Sequence, residues 1–505
     1  MDIKKQVKRL TEIGISLSSE LNLDALLEKI VLYARDLTSA DAGTLYLLSD
    51  GRLEFTILQN ESLGIFKGGV TGREIELKPV EMNDTSVSAF AALRKKTVRI
   101  ADVYVSDEFD FTGPRHYDAI TGYRSRSMLV VPMMDHEGRV IGVLQLMNAL
   151  TNEGEVTVFT DGAVALAESL ASQAAVSINN ARLIKQTRDL FEGLVKVLAL
   201  AIDAKSKSTR NHIQRVASLN LFLAKVINSR TDGPFSGVKF DEREMEELRL
   251  AGWLHDVGKV TTPVWIVEKK NKLETPFDRI EVIRLRFQAA IASLRHSGTG
   301  HSEENVLIRE LEDDLIFLER CNNPADNMNE ESLERLDDIF RKQINIQGKI
   351  TNLLSEDEKA HLAVKYGNIT DLEKEIMRSH VVWTRKMLEM IPFKGYLDNV
   401  PLYAAQHHEK LDGSGYPEGL SGDRLSLQSR ILAVADVYEA LSAPDRSYKK
   451  QLSENDVLDL LEKAANEGKL DRSIVDLFCR DKVHREFEKL FQEEKERELK
   501  DINDS

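Results

Sequence analysis

The stretch Leu254-His255-Asp256-Val257-Gly258-Lys259 decides how the C-terminal half of this chain is read. It closes a mostly apolar run that begins at Leu248. Such a run predicts a buried helix, and buried helices do not usually carry an ionisable pair without a partner for it. A paired core His-Asp is one reading. A multivalent cation is the other: a neutral imidazole binds one metal ion, and a carboxylate, with two oxygens, can bridge two. Lys259 lies three residues past Asp256, so on a helix the two share a face and a fixed positive charge points at any anion held there.

Outward from this stretch the same chemistry recurs. His212 lies upstream, in Arg210-Asn211-His212-Ile213-Gln214-Arg215. Downstream come His380, then His407-His408-Glu409, then Asp436 within Ala433-Val434-Ala435-Asp436-Val437. Five of the 11 histidines fall in this set, which favours a site over a single core pair. Asp436 again interrupts an apolar run, Ile431 to Val437, where an unpaired carboxylate would be costly.

His255-Asp256 with Gly258-Lys259, His407-His408-Glu409, Gly413-Ser414-Gly415-Tyr416-Pro417 and Arg430-Ile431-Leu432-Ala433-Val434-Ala435-Asp436 together resemble the HD-GYP domain, over residues 190–452. That family is a metal-dependent phosphodiesterase branch of the HD superfamily. The resemblance implies an all-α domain in which His212, His255 and Asp436 hold one metal ion, His380, His407 and His408 hold a second, and Asp256 bridges them. It implies that Lys259 acts with Asp256 in catalysis and binds a phosphate oxygen, and that Tyr416 offers its ring or hydroxyl to a substrate base. In Ala443-Pro444-Asp445-Arg446-Ser447-Tyr448-Lys449-Lys450, Arg446 and Lys449 carry over as guanine or phosphate contacts, with Ser447 where the family has proline. The implied substrate is cyclic di-GMP, opened to linear pGpG or to GMP. Imidazole and carboxylate ligands without thiolates suit iron or manganese. Some relatives place a glutamate four residues before the first histidine as a ligand to a third ion. Ser208 stands there, so two divalent ions per chain are expected. Two alternatives remain open: an HD-type hydrolase of another cyclic dinucleotide, and a non-catalytic module that binds a cyclic dinucleotide or a diguanylate cyclase. The intact His255-Asp256 pair favours the enzyme.

At 505 residues the chain has room for about three domains. Hydrophobic content of 42% with 30% charged residues gives globular domains with real cores. A net charge of −15 argues against a nucleic-acid polymer as partner, so any anionic ligand is drawn in by a local positive site. Cys321 and Cys479 form no CxxC motif, which fits a reducing cytoplasm. The N-terminus lacks an apolar signal core, and no apolar run approaches the roughly 20 residues needed to cross a membrane.

The N-terminal third has a different pattern. Leu10, Ile13, Leu17 and Leu21, then Leu26, Ile30, Ala34 and Leu37, recur at helical spacing, with Asn22 or Asp24 as cap of the second helix. Thr44–Leu48 and Leu53–Ile57 flank the turn Ser49-Asp50-Gly51, and Ser127–Pro132 and Val140–Met147 form a second hairpin, with a helix near Val87–Lys95. Tyr117–Ser127 and Gly142–Asn148 then resemble a GAF domain, over residues 8–185. The resemblance implies an antiparallel sheet with helices, and a small-molecule ligand or a purely dimerising role. Asn148-Ala149 lacks the lysine found in cyclic-nucleotide-binding members. His116 and His136 read as loop residues.

Residues 165–206 read as one connecting helix with an apolar stripe at Leu166, Leu170, Ala174, Ile178, Leu183 and Leu190. A homodimer through the GAF domain and this helix is expected, with packing on the sheet as the alternative. The expected fold is therefore an α+β GAF domain joined by a long helix to an all-α HD-type domain. Between Asp256 and His380 lie 123 residues, and the excess, 285–365, reads as a charged helical hairpin. Its His296, His301 and His361 read as surface or packing residues, and Lys269–Lys272 with Arg284–Arg286 as a basic cluster near the site, either a solvated face or a screen at the site entrance. Residues 453–505 read as charged helices, with His484 on the surface.

Overall fold

A computed structural model describes residues 3–70, 72–205, 212–296, 302–346, 349–393, 395, 397–442 and 452–503. It divides into two compact units, Met1–Phe191 and Glu192–Ser505.

The first unit opens with α1 (Ile3–Ser19) and α2 (Leu23–Thr38). Asn22 caps α2, its side chain accepting from the Ala25 amide at 3.0 Å. Then follow β1 (Ala40–Ser49), β2 (Arg52–Asn60), β3 (Ile65–Lys67), β4 (Val80–Glu81), α3 (Val87–Arg94), β5 (Val98–Ile100), α4 (Thr112–Thr121), β6 (Met128–Met134), β7 (Val140–Leu150) and β8 (Val156–Thr157). The antiparallel sheet runs β3-β2-β1-β7-β6-β5. Ser49 pairs with Arg52, leaving Asp50 and Gly51 as a two-residue turn with φ of 47° and 74°, the conformation that Asp-Gly supplies.

Alternation along the strands sends Leu45, Leu144 and Leu146 to one face and Tyr46, Val130 and Val143 to the other. The first face is covered by α1, α2 and the start of α5 (Asp161–Lys205), through Leu170, Ala174 and Ile178. Half of the predicted stripe on this helix is therefore intramolecular core. Leu183 and Leu190, further along, are exposed.

The second unit is helical and carries its site on five helices. They are α6 (His212–Ser229), α7 (Glu242–Leu254) with a 3-10 turn at Val257–Thr261, α13 (Asp371–Leu388), α14 (Val400–Ala405) and α15 (Leu427–Ser442). Gly252 of α7 lets the helices close in, since a Cβ there would lie 2.7 Å from Ala217 Cα of α6. Asn220 ties the same pair, donating to Leu248 O at 2.6 Å. After α8 (Val264–Val267) the chain leaves this bundle through β9 (Glu274–Thr275), β10 (Phe277–Asp278), α9 (Ile280–His296), α10 (Ser302–Asn322), α11 (Glu330–Arg341), β11 (Gln343–Ile346), β12 (Lys349–Asn352) and α12 (Glu356–Leu362). It returns as α13 (Asp371–Leu388), α14 (Val400–Ala405) and α15 (Leu427–Ser442), and ends with α16 (Glu454–Asn466), α17 (Arg472–Arg480) and α18 (Val483–Asn503).

The inserted segment is more than the expected hairpin. It has its own apolar core around Phe287, Leu311, Leu318, Leu336, Leu353 and Leu362. Two charge readings are corrected, at Lys269–Lys272 and at His484, while His361 takes the packing role. Lys269 and Lys272 are buried, not a solvated face: Lys269 Nζ meets both Glu373 oxygens at 2.7 and 2.8 Å, and Lys272 Nζ donates to Val364 O at 2.8 Å. His361 is buried beside the same Glu373, at 3.3 Å. His484 is buried with Nε2 2.8 Å from Glu454. Partners this far away in sequence leave no local signal. His301 lies outside the described residues.

Candidate metal centre

Helix packing gathers the predicted side chains into one cluster. His212 opens α6, His255 and Asp256 follow α7, His380 lies within α13, His407 and His408 follow α14, and Asp436 lies within α15. Asp256 is the hub. Its Oδ2 lies 3.3 Å from His255 Nε2 and 3.6 Å from His212 Nε2, and its Oδ1 lies 3.4 Å from His380 Nε2 and 3.8 Å from His407 Nε2. Asp436 Oδ1 lies 3.3 Å from His212 Nε2, and its Oδ2 3.8 Å from His408 Nδ1. Among the described residues, His212–His255–Asp436, His380–His407–His408 and His255–Asp256–His407 each bring their ligand atoms within 4.8 Å of one another. All are buried except His408, which with Lys259 stands at the open side.

The backbone fixes the ring orientations. The Nδ1 atoms of His255, His380 and His407 lie 2.8, 2.6 and 2.7 Å from the carbonyls of Gly252, Met377 and Ala404, each three residues earlier. With Nδ1 as donor, Nε2 is left as a lone-pair ligand aimed inward. His212 achieves the same with a carboxylate, its Nδ1 contacting Glu439 Oε2. Glu439 is a residue the sequence reading missed. Its signal was its place one turn past Asp436, a second acid on a buried helix.

The fit to a metal is visible in what stays unpaired. His255 Nε2, His380 Nε2, His407 Nε2 and Asp256 Oδ1 are buried and have no hydrogen-bond partner. Four such atoms converging would cost several kcal/mol unless a cation satisfied them. The electrostatics agree. Burial would raise the Asp256 carboxyl, but Lys259, His255 and His212 hold it well below the usual carboxylate range. Asp436 is likewise held down against its burial by the hydrogen bond to His212 and by the charge of His408. Burial, with His408 and His255 alongside, pushes His407 well down, and burial brings His408 to about 4. These two rings are neutral at neutral pH, the form in which an imidazole can ligate a metal ion. His212 is the exception: burial is outweighed by Asp256, Asp436 and Glu439, and its pKa rises well above the ordinary value.

Two more neighbours were not foreseen. Asp203, near the end of α5, is buried, and burial carries its carboxyl up to about 6 despite the opposing charge of His212. Arg378 lies over the Tyr416 ring at 5.3 Å. Tyr416 itself packs beside His408, ring centres 4.9 Å apart. The turn behind it is shaped by Glu409, which accepts from the amides of Glu418 and Leu420 at 2.7 and 2.9 Å. Arg446, Lys449 and Ser208 lie outside the described residues.

Comparison with known families agrees with both units. Residues 22–178 match the GAF domain and residues 356–474 match the HD domain. The chain joins a GAF domain to an HD domain. The HD match takes in His380, His407, His408 and Asp436, while His212, His255 and Asp256 precede it. The 3'3'-cGAMP-specific phosphodiesterase 1 of Vibrio cholerae is 33% identical over 135 residues, 26% of this chain and 30% of that protein. Phosphodiesterase 2 of the same specificity and organism is 26% identical over 274 residues, 54% of this chain and 32% of the other. The cyclic di-GMP phosphodiesterase response regulator RpfG of Xanthomonas campestris is 39% identical over 87 residues, 17% of this chain and 22% of that protein. The chain thus spans between about a fifth and a third of the length of these relatives.

The GAF domain has a cavity of its own, about 570 Å³, on the α3 face of the sheet. Tyr46, Phe111, Tyr117, Ser88 and Gln145 line it, with Ser88 donating to Gln145 Oε1 at 2.8 Å. His116 borders it as well. Asn148 is buried and structural, accepting from the Arg126 amide at 2.7 Å and donating to Arg124 O at 2.8 Å. Among the described residues, no helix is long and apolar enough to cross a membrane.

Proposed function

We propose that the HD domain is a metal-dependent phosphodiesterase that hydrolyses cyclic di-GMP to linear pGpG, to GMP, or to both. The observation that carries this is the convergence of unpartnered buried imidazole nitrogens on the two oxygens of Asp256. His212, His255 and Asp436 would hold one divalent cation and His380, His407 and His408 the other, with Asp256 shared. The donor set, all imidazole and carboxylate, suits iron or manganese. Bound there, such a pair would activate water and offset charge on the phosphate oxygens.

The chain's own groups account for the rest. The Lys259 ammonium lies 2.5 Å from Asp256 Oδ2 and, at the open side of the cluster, is placed to hold a non-bridging phosphate oxygen as its charge grows. The Tyr416 hydroxyl is kept protonated, its pKa pushed up by burial and then by Asp436 and Asp256, so it can donate to a base while its ring stacks. Arg446 and Lys449 would complete the contacts to guanine or phosphate.

A second substrate, 3'3'-cGAMP, is favoured by the names of two of the relatives. The GAF domain would bind a small molecule in its cavity and dimerise. On α5, Val176, Leu183, Leu190 and Val197 recur every seven residues and are all exposed, a seam that suits the same helix of a second copy. The deciding experiment is anaerobic purification, metal counting and timed turnover of cyclic di-GMP, 3'3'-cGAMP and cyclic di-AMP, alongside Asp256→Ala. Two ions per chain and cyclic di-GMP turnover, both lost in the variant, are expected. A metal-loaded protein that opens none of the three rings would refute the enzyme and leave a binding module.

A further inference from the structure

Helix α5 begins at Asp161 and ends on Lys205. The Lys205 ammonium donates to three backbone carbonyls: Lys259 O at 2.9 Å, Val260 O at 2.6 Å and Thr262 O at 2.6 Å. An ammonium has three N–H donors, so this set saturates it. The acceptors stand at the C-terminal end of the 3-10 turn Val257–Thr261, where a positive charge is favoured; Lys259 O also accepts from the Thr262 amide at 3.1 Å. This is the turn from which Lys259 reaches Asp256 Oδ2.

We propose that Lys205 is a positioning residue for Lys259, and that it makes the end of the connecting helix part of the turn that serves the phosphate. The proposal rests on the phosphodiesterase reading above. Its physical content is simple. Three of the four carbonyls from 259 to 262 are anchored to Lys205. Any displacement of the helix end must move that turn or break the three bonds. Motion passed down α5 would therefore be felt first at the Lys259 ammonium.

The test is Lys205→Met, which keeps the stem and removes the donors, with Lys205→Gln standing in if the methionine variant does not fold. Turnover of cyclic di-GMP should fall about tenfold in kcat with KM unchanged, because Lys259 works in the transition state. Metal content should stay at the wild-type value, and Lys205→Arg should recover most of the loss. Lys259→Met should fall further, and the double variant no further than Lys259→Met alone. Amide hydrogen exchange over 257–262 should rise in Lys205→Met. Unchanged exchange, wild-type kcat, or losses that multiply in the double variant would each overturn the proposal. If the wild-type protein opens no cyclic dinucleotide, the phosphodiesterase reading fails on its own, and the exchange measurement still decides whether Lys205 holds the turn.

Discussion

Gly258→Ala probes the joint on which the metal centre turns. A Cβ at this position would lie 1.9 Å from His380 O and 2.6 Å from Thr384 N, against a limit of about 3.0 Å for real Cβ contacts. Both obstacles are backbone atoms of α13, so no side chain can swing away. The 3-10 turn and α13 must part by roughly 1 Å. That parting strains two hydrogen bonds, from the Gly258 amide to Thr384 Oγ1 at 3.0 Å and from Thr384 Oγ1 to His255 O at 3.0 Å. At about 1 kcal/mol for each bond, plus about 1–3 kcal/mol for overpacking, the fold loses about 3–5 kcal/mol. For the unit Glu192–Ser505 this lowers the melting midpoint by roughly 5–8 °C.

The effect on the site is sharper. Ligand distances tolerate about ±0.2 Å, and His380 would retreat from Asp256 by several times that. On the proposed ligand assignment, an ion held by His380, His407 and His408 should therefore bind at least about 10–100-fold more weakly, while one at His212, His255 and Asp436 is retained. Metal counting after dialysis against a weak chelator, with a thermal melt, reads both consequences. Gly237→Ala is the control, since a Cβ there meets nothing within 4 Å. A Gly258→Ala protein with two ions per chain and the wild-type midpoint would refute the argued link between backbone approach and ligation.

Three further outcomes are expected. Glu439→Gln should weaken the ion at His212 about 10–100-fold in competitive chelation, and unchanged affinity would show that the carboxylate does not tune that ring. Glu373→Gln leaves the buried Lys269 ammonium unpaired and should cost about 3 kcal/mol in denaturant unfolding. In the wild type this pair also predicts a pH dependence. Burial would raise the Glu373 carboxyl, but Lys269 and the Thr370 amide outweigh it and hold the carboxyl below its ordinary value. The stabilisation is present above about pH 4.5 and is lost as pH falls through the folded pKa. Lys269 is lowered by burial even with Glu373 beside it, so the two partners shift in senses that do not match one net attraction. Glu373 governs the acid limb because the lysine does not titrate there. Finally, burial pushes the Cys321 and Cys479 thiols up to about 11. At pH 8 their thiolate fraction is about a hundredfold below that of an ordinary cysteine, so native alkylation should lag far behind alkylation in urea. Equal rates in the two conditions would contradict the burial assigned to them.

The parts legible in the sequence were those whose physics is local. Strand alternation, the Asp50-Gly51 turn and the Asn22 cap each follow from a few adjacent residues. Of the seven candidate ligands, His255, Asp256 and Asp436 stand out as ionisable groups in or beside apolar runs, where such groups need partners, whereas His212, His380, His407 and His408 were pointed to by the resemblance to a family's motifs. Glu439 was missed because its role depends on meeting His212, which is 227 positions away. Lys269 read as a surface charge for the same reason, since its partner Glu373 lies 104 positions on. Charge alone does not distinguish a solvated lysine from a buried one. Only the partner does, and here the fold supplies it.

That same pair explains how the candidate metal centre is assembled across 123 intervening residues between Asp256 and His380. Closing a long loop costs little more than closing a short one, because the entropy grows only with the logarithm of length. The danger lies in the insertion's own motion reaching His380. Its base is closed before that can happen. Lys269 is joined to Glu373 of α13, the Lys272 amide donates to Asn322 O at 3.0 Å, and the Leu273 amide donates to Asn322 Oδ1 at 2.8 Å. The inserted core of Phe287, Leu311 and Leu362 packs on itself beyond this closure. Gly258 can then touch α13 at His380 as directly as if the two segments were neighbours in sequence. Glu373 lies two helical turns before His380, so the lock and the ligand share one rigid helix. It follows that Glu373→Gln should loosen the ion at His380 along with the core, whereas a change at the insertion's far end, such as Ile350→Ala, should alter neither.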